Sequence, residues 1–170
     1  VGPKRRKAKV NHTYRVPTAG TKGIHCRWHR NVLFYRAYVT AGPFRLSTVY
    51  TTALTQAHRF KAVLAAIQAR VLQAGASGSH EDLGTALLAA IAQEPTLHGL
   101  DVAKDMGLSI TAQVWAACWI GRSLMTPAFP ASSAQTGIQV WHSLQAAPGI
   151  GCLHTERQNL LRKYSSEELQ

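Results

Sequence analysis

The chain has 170 residues, is 46% hydrophobic and carries a formal net charge of +11, so it has the composition of a folded core and not of a disordered chain. Its most apolar stretch, residues 108–125, contains Gln113 and Arg122 and falls short of the roughly 20 apolar residues that a membrane-spanning helix needs. We therefore expect a polyanionic partner and no membrane.

The positive charge lies almost entirely in the first half of the chain. Residues 1–75 hold fourteen Lys and Arg and no acidic residue, because the first acid is Glu81. The rest of the chain holds five basic and eight acidic residues. Two segments of opposite charge predict two surfaces, one that contacts phosphate and one that contacts protein.

Residues 1–22 predict an extended basic arm, since they contain two prolines and little hydrophobic periodicity. A solvated tail is the alternative. A chain that begins at Val1 instead of Met would fit removal of a transit peptide. The candidate phosphate contacts of the arm are its seven cations: Lys4, Arg5, Arg6, Lys7, Lys9, Arg15 and Lys22.

Three short segments rich in β-branched and aromatic residues follow, at residues 24–29, 32–40 and 44–51, and they predict strands. The breaks between them are short enough for hairpin turns, so a three-stranded antiparallel meander is expected. On the middle strand one face holds Leu33, Tyr35, Ala37 and Val39, and the other holds Phe34, Arg36 and Tyr38. The first face can pack on a helix and the second can meet a ligand.

Residues 54–74 supply that helix, because their apolar positions recur at the spacing of an amphipathic helix. Gly75 is predicted to end it. A Gly- and Ser-containing linker at residues 76–79 then leads into a second half that is predicted to be all helical. Its expected helices are 80–93, 97–106, 109–125, 133–146 and 154–169, separated at Pro95, Gly107, Pro127, Pro130 and residues 148–151.

Residues 22–71 resemble the Apetala-two, or ethylene-response-factor, domain in its divergent apicomplexan form. The resemblance rests on Gly23-Ile24, Tyr35-Arg36-Ala37, Leu46-Ser47-Thr48 and the helical segment 62–70. Tyr35 replaces the usual Trp and Leu46 the usual Phe, and the stretch between Ser47 and Ala62 is longer than in the family. The resemblance implies nucleic-acid contacts on the strands, from Arg27, Trp28, Arg30, Arg36, Tyr38 and Arg45. The alternative interpretation of each is a solvated strand residue without a ligand.

The predicted fold class is α+β: a three-stranded antiparallel sheet packed on one helix, a small all-helical C-terminal block and a basic N-terminal arm. The corresponding regions are 1–22 for the arm, 23–75 for the Apetala-two-like ββα domain and 76–170 for protein contact. Arginine forks and aromatic rings on a strand face suit DNA and structured RNA alike. The strand face therefore leaves both nucleic acids open.

A basic arm and a protein-contacting half favour RNA in a large assembly, and the resemblance implies a mitochondrial ribosome. The expected function is an rRNA-binding structural constituent in the mitochondrial matrix, in contact with neighbouring ribosomal proteins. One alternative is a sequence-specific DNA-binding transcription factor in the nucleus. Another is an accessory subunit of a different organellar complex, which the acid-free first half argues against.

No catalytic set is predicted, because the acids are sparse and absent from the first 80 residues. Cys26, Cys118 and Cys152 are odd in number and far apart, so neither a disulfide framework nor a zinc motif is indicated. His25 with Cys26 and His29, and Cys152 with His154, lack the four ligands of a recognised metal site. The chain is therefore expected to be no enzyme and to bind no metal or cofactor.

Overall fold

The computed structural model describes residues 22–76, 80–115 and 123–146, together with residues 155, 158, 159 and 162. This part of the chain is α+β, as predicted. A 3-10 turn at Ala131–Ser133 precedes the last helix of these ranges. The elements in chain order are β1 (Ile24–His29), β2 (Val32–Ala41), β3 (Phe44–Ser47), α1 (Leu54–Gly75), α2 (His80–Leu97), β4 (Ser109–Trp115), β5 (Ser123–Met125), β6 (Phe129–Pro130) and α3 (Ala134–Gln145).

The strands form one curled antiparallel sheet in the order β1-β2-β3-β4-β5, and β6 also pairs with β4. Helix α1 packs on β2, α3 packs on β4, and α2 packs on α1. The three predicted strands are therefore present, although the third ends at Ser47 and not at residue 51, and the sheet is wider than predicted. One buried hydrophobic cluster runs from β2 and α1 through to β4 and α3.

The predicted hairpin between β1 and β2 is confirmed, with a two-residue turn at Arg30 and Asn31. Both residues have positive φ, 47° and 63°, which is the combination that a type I′ turn requires and that matches the twist of the strands. His29, Arg30 and Asn31 are exposed, and Val32 is 44% exposed. The tip of the hairpin therefore projects into solvent.

The predicted helix after β3 is also confirmed, as α1. Its buried side chains form one stripe, and the residues opposite them on β2, Ala37 and Ala41, are fully buried. Small side chains on the strand let the helix lie close to the sheet. The buried residues of the stripe are Ala57, Phe60, Val63, Leu64, Ile67 and Val71.

The predicted helix over residues 109–125 is wrong at both of its ends, because β4 occupies residues 109–115 and β5 occupies residues 123–125, while residues 116–122 lie outside the described residues. Ile110, Ala112 and Val114 are buried and alternate with the half-buried Thr111 and Gln113, which is the period of a strand and not of a helix. The edge of β3 supplies a pairing partner. A short apolar run does not by itself distinguish a buried strand from a buried helix.

Pro95 does not end α2, which continues to Leu97. Pro95 is buried, and the helix turn around it is held by the neighbouring Glu94, whose carboxylate lies 2.6 Å from Arg70 Nε on α1. Tertiary packing thus outweighs the hydrogen bond that a proline removes from a helix interior.

The predicted helix over residues 97–106 is wrong as well, since this stretch forms turns. The Asp101 carboxylate accepts hydrogen bonds from the backbone N–H groups of Ala103 and Lys104, at 2.8 and 2.7 Å. Gly99, with a φ of 63°, starts the reversal. Asp side chains that bond their own backbone in this way compete with helix formation.

The sheet crosses the boundary predicted between residues 75 and 76. β3 pairs with β4, and the ring of Phe44 on β3 meets the ring of Trp141 on α3 edge to face, 5.0 Å between centroids. The helix predicted at 133–146 is confirmed as α3. The arm residues before Lys22, the linker residues 77–79 and most of the helix predicted at 154–169 lie outside the described residues, but residues 155, 158, 159 and 162 are helical.

The arrangement β2-β3-α1 recurs as β4-β5-α3. After β3, the backbone N–H of Thr48 donates to Ala37 O at 3.0 Å, and its hydroxyl accepts from Ala37 N–H at 3.2 Å. After β5, Thr126 N–H donates to Ala112 O at 2.8 Å, and its hydroxyl accepts from Ala112 N–H at 2.8 Å. The Thr48 hydroxyl also donates to Val49 O, and the Thr126 hydroxyl donates to Pro127 O.

The helices of the two units also correspond. Each presents four buried side chains to the sheet at the same spacing along the chain. They are Ala57, Val63, Leu64 and Ile67 in α1, and Ala134, Val140, Trp141 and Leu144 in α3. We therefore describe the fold as two ββα units, the first β2-β3-α1 and the second β4-β5-α3, joined edge to edge through β3 and β4.

Gly107 joins the turn region to β4 and tolerates no side chain. Its φ is 47°, and an added Cβ would lie within 2.2 Å of Val49 Cγ1. We expect Gly107→Ala to lower the free energy of unfolding by about 1–3 kcal/mol, from the left-handed backbone and the overlap together. Urea unfolding followed by circular dichroism measures this loss.

Gly42→Ala is the matched control, because Gly42 also has positive φ, 59°, but has no atom within 4 Å of the added Cβ. Gly42→Ala should lower the free energy of unfolding by only about 1 kcal/mol. Val49→Ala, which removes the overlapping atoms, should bring the cost of Gly107→Ala down to that of Gly42→Ala. Equal losses of stability from Gly107→Ala and Gly42→Ala, each with Val49 unchanged, would contradict the overlap.

Candidate nucleic-acid interface

The sheet has one face against the helices and one face turned away from them, which we call the outer face. Directly opposite residues in antiparallel strands share a face, and the register places them in pairs. The face predicted to pack on a helix includes the fully buried Ala37. The outer-face pairs are His25 with Arg36, Arg27 with Phe34, Tyr38 with Ser47, Arg45 with Thr111 and Gln113 with Met125.

Two adjoining grooves open on the outer face and share Tyr50 as a wall. The larger, about 410 Å³, is lined mainly by side chains of β2, β3 and β4, among them Arg36, Arg45 and Thr111. The smaller, about 240 Å³, is lined by Arg27, His29, Phe34 and Tyr50. The two grooves thus adjoin at Tyr50 and together cross the strands, with cationic and aromatic side chains in both.

Arg36 is held in place at the floor of the larger groove. Its Nε–H donates to Thr48 O at 2.8 Å, and Nη2 donates to the hydroxyls of Ser47, at 2.6 Å, and Ser109, at 3.2 Å. The guanidinium also lies 5.6 Å from the centre of the Tyr50 ring. Nη1 has no hydrogen-bond partner within the described ranges, so a fixed pair of donors remains for an incoming anion.

Arg45 and Arg27 extend the positive charge across this face and are both exposed. The Arg45 guanidinium lies over the Tyr38 ring at 5.0 Å from its centre. None of the described strands contains Asp or Glu, and in the described part of the chain the ion pair found, Arg70 with Glu94, joins α1 to α2. The arginines of the outer face are therefore not neutralised by strand carboxylates.

The structure brings together Arg27, Arg36, Tyr38 and Arg45 of the predicted site residues. Trp28 lies on the opposite face of β1, with 43% of its surface exposed. Arg30 lies in the turn at the hairpin tip. Lys22 precedes β1 and lines a separate pocket with Lys61 of α1 and with Tyr38. The six arm cations Lys4, Arg5, Arg6, Lys7, Lys9 and Arg15 lie outside the described residues.

The groove residues that were not predicted as site residues include His25, Tyr50 and Thr111. His25 Nδ1 and the Tyr50 hydroxyl are 3.1 Å apart and share a hydrogen bond. The alternation of His25 with Arg27 along β1 is a signal for the first. Tyr50 lies beyond β3 at the isolated bridge between Tyr35 and Thr51, and nothing in the local pattern indicates that it faces the groove.

The described residues contain no group of three or more His, Cys, Asp or Glu side chains placed to bind a metal ion. Cys26 is a free thiol. No helix in the described ranges is both long and apolar enough to cross a membrane.

A surface without strand carboxylates that carries one hydrogen-bonded and two exposed guanidinium groups can neutralise several phosphates. The interleaved rings can stack on bases. The resemblance to the Apetala-two domain rests on the sequence segments given above. Neither family models nor curated proteins nor solved structures include a match to this chain.

Proposed function

We propose that this protein binds RNA through the outer face of its sheet, as a structural constituent of a ribonucleoprotein particle. The observation that carries the proposal is the row formed by Arg27, Arg36 and Arg45, interleaved with aromatic rings and without strand carboxylates. Phosphate neutralisation supplies affinity, while rings and the guanidinium planes of arginine offer stacking surfaces for unpaired bases.

The width of the sheet favours RNA over the DNA major groove. Five strands at a spacing of about 4.8 Å span about 19 Å, whereas the B-DNA major groove is about 12 Å wide and admits a helix or a two-stranded ribbon. Unpaired RNA can follow a broad sheet face with its bases splayed out. The groove continues from β1 to the β4-β5 side, which suits a single strand crossing the β-strands.

Within this proposal, the particle that the resemblance implies is the mitochondrial ribosome, with rRNA as the ligand and ribosomal proteins as neighbours. The acidic side chains of the second half would face protein there, and the basic outer face would face rRNA. The cationic arm would add contacts to phosphate beyond the sheet. Sedimentation of the protein with ribosome-sized particles tests this assignment separately from RNA binding.

A second candidate is DNA binding by the β1-β2 hairpin. Its tip is a two-stranded ribbon that is exposed at His29, Arg30 and Asn31, and such a ribbon fits the major groove. The resemblance to the Apetala-two domain implies the same ligand. In this case Arg30 would contact DNA while the groove near β4 would not.

Binding of the full chain to an unstructured RNA, an RNA hairpin and a DNA duplex of equal length, at several salt concentrations, tests RNA against DNA. We expect the tightest binding to the RNA with unpaired bases, at every salt concentration. Tightest binding to the duplex, with a large loss on Arg30→Ala, would replace the proposal by the DNA alternative. Absence of salt-dependent binding to any of them would contradict both.

Sedimentation of lysates from cells that make the protein, with and without nuclease, tests the ribosomal assignment. We expect the protein to move with a ribosome-sized particle from the mitochondrial fraction and to leave it after nuclease treatment. Recovery on chromatin would favour the nuclear alternative. A large complex that survives nuclease would favour the accessory-subunit alternative.

A further inference from the structure

Gln113 occupies a defined position on the outer face of β4, next to the larger groove. It lies directly opposite Met125 and two residues beyond Thr111, and both of these neighbours line the groove. The backbone of Gln113 is held on both sides: its N–H donates to Pro43 O at 2.7 Å, and its carbonyl accepts from Trp141 Nε1 at 3.2 Å.

Within the described part of the chain, the side-chain amide of Gln113 makes no hydrogen bond that holds the fold. Gln113 is half-buried, and no residue in the described ranges makes a hydrogen bond to its amide. By contrast, the Gln68 amide donates to Thr40 O at 2.7 Å, and the Gln93 amide oxygen accepts from Arg70. Gln113 thus presents one donor group and one acceptor on a backbone that is already fixed.

The repeat of the ββα unit gives an independent reason to assign a ligand contact to this position. Tyr38 pairs with Ser47 in the first unit as Gln113 pairs with Met125 in the second. The two positions are therefore equivalent, and Tyr38 lines the larger groove beneath Arg45. Arg45 is directly opposite Thr111, so Gln113 is its diagonal neighbour, within reach of a long side chain.

We propose that Gln113 recognises an unpaired adenine of the bound RNA, with Thr111 and Met125 as the adjoining walls of the subsite. The proposal rests on the proposed function and deepens it. The amide oxygen accepts from the adenine amino group while the amide N–H donates to adenine N7, the two-bond pairing that Gln makes with this edge. The neighbouring phosphate then lies on Arg45 and Arg36, so cations position the strand and the amide selects the base.

The test uses the full chain and U-rich RNA octamers that contain one adenosine, one 7-deazaadenosine, which lacks the N7 acceptor, or uridine only. We expect the octamer with adenosine to bind about tenfold more tightly than the other two. Gln113→Ala should bring the three affinities together and leave the salt dependence unchanged. Gln113→Glu, which keeps an acceptor but loses the donor, should also abolish the effect of the N7 atom.

Gln139→Ala is the matched control, because Gln139 is exposed on α3, and it should keep the preference for adenosine. Equal binding of all three octamers by the original protein, or a preference that survives Gln113→Ala, overturns the subsite while the proposed RNA binding stands. If no octamer binds, both fail. The two backbone hydrogen bonds of Gln113 do not involve its side chain, so we expect the Gln113 variants to fold. Circular dichroism of each variant checks that a lost preference does not come from unfolding.

Discussion

Replacing Trp141 by alanine is expected to lower the free energy of unfolding by about 3–5 kcal/mol, the range for deleting a buried large aromatic side chain. Trp141 is fully buried, meets Phe44 edge to face and donates through Nε1 to Gln113 O. The variant loses the contact area, the ring pair and the partner of a buried carbonyl together. Urea unfolding followed by circular dichroism measures the loss.

The same variant tests whether the two halves of the chain fold together. Because Trp141 of the second half packs on Phe44 of the first, its loss should lower hydrogen-exchange protection of the β2 and β3 amides as well as those of β4. Trp28→Ala is the control, since Trp28 is 43% exposed and its truncation should lower the free energy of unfolding by less than truncation of the fully buried Trp141. Full protection of β2 and β3 in Trp141→Ala would show that the halves are independent.

The first half of the fold could be predicted from sequence because its local signals agree with its tertiary structure. Alternation along residues 32–40 placed Ala37 towards the helix and Arg36 outward, and the structure bears this out. The Arg30-Asn31 break became a two-residue turn, and the apolar stripe of α1 fixed its orientation against the sheet. Strand and helix periods are different enough here to distinguish the elements.

The second half was harder because its strands are specified by partners distant in the chain. Residues 110–114 alternate as in a strand, but the longer apolar stretch 109–125 hides this short signal. The edge of β3 supplies the pairing partner, with Leu46 opposite Ile110. Pro95 is a strong helix breaker locally, yet the packing of α2 on α1 retains it. Neither interaction is visible in a window of neighbouring residues.

The candidate site also divides into a part on the first half, which could be predicted from the sequence, and a part on the second half, which could not. Arg27, Arg36, Tyr38 and Arg45 lie on strands that were predicted, so their shared surface could be predicted too. The β4 side of the groove, with Thr111, belongs to the stretch that was predicted as a helix. The hydrogen bond from Arg36 to the hydroxyl of Ser109 on β4 could not be predicted for the same reason.

Replacing Arg27 and Arg45 together by glutamine is expected to weaken RNA binding by about 100-fold at low salt, if each contact contributes about 1.4 kcal/mol. Both side chains are exposed on the outer face. On single strands each phosphate contact contributes a log–log salt slope of about −0.7, so the loss of two should make the slope shallower by about 1.4. Fluorescence anisotropy titrations of a labelled RNA over a salt series measure both quantities.

The matched control is Arg59→Gln with Lys104→Gln, which removes two positive charges away from the outer face. Arg59 lies on α1, where its guanidinium donates to His98 O, and Lys104 is exposed in the turns after α2. If total charge alone drove binding, this pair would reduce the affinity and the slope as much as the outer-face pair. A surface-specific site requires that the control keep nearly the original slope, because charges farther than a Debye length, about 8 Å at physiological salt, are largely screened from the bound phosphates.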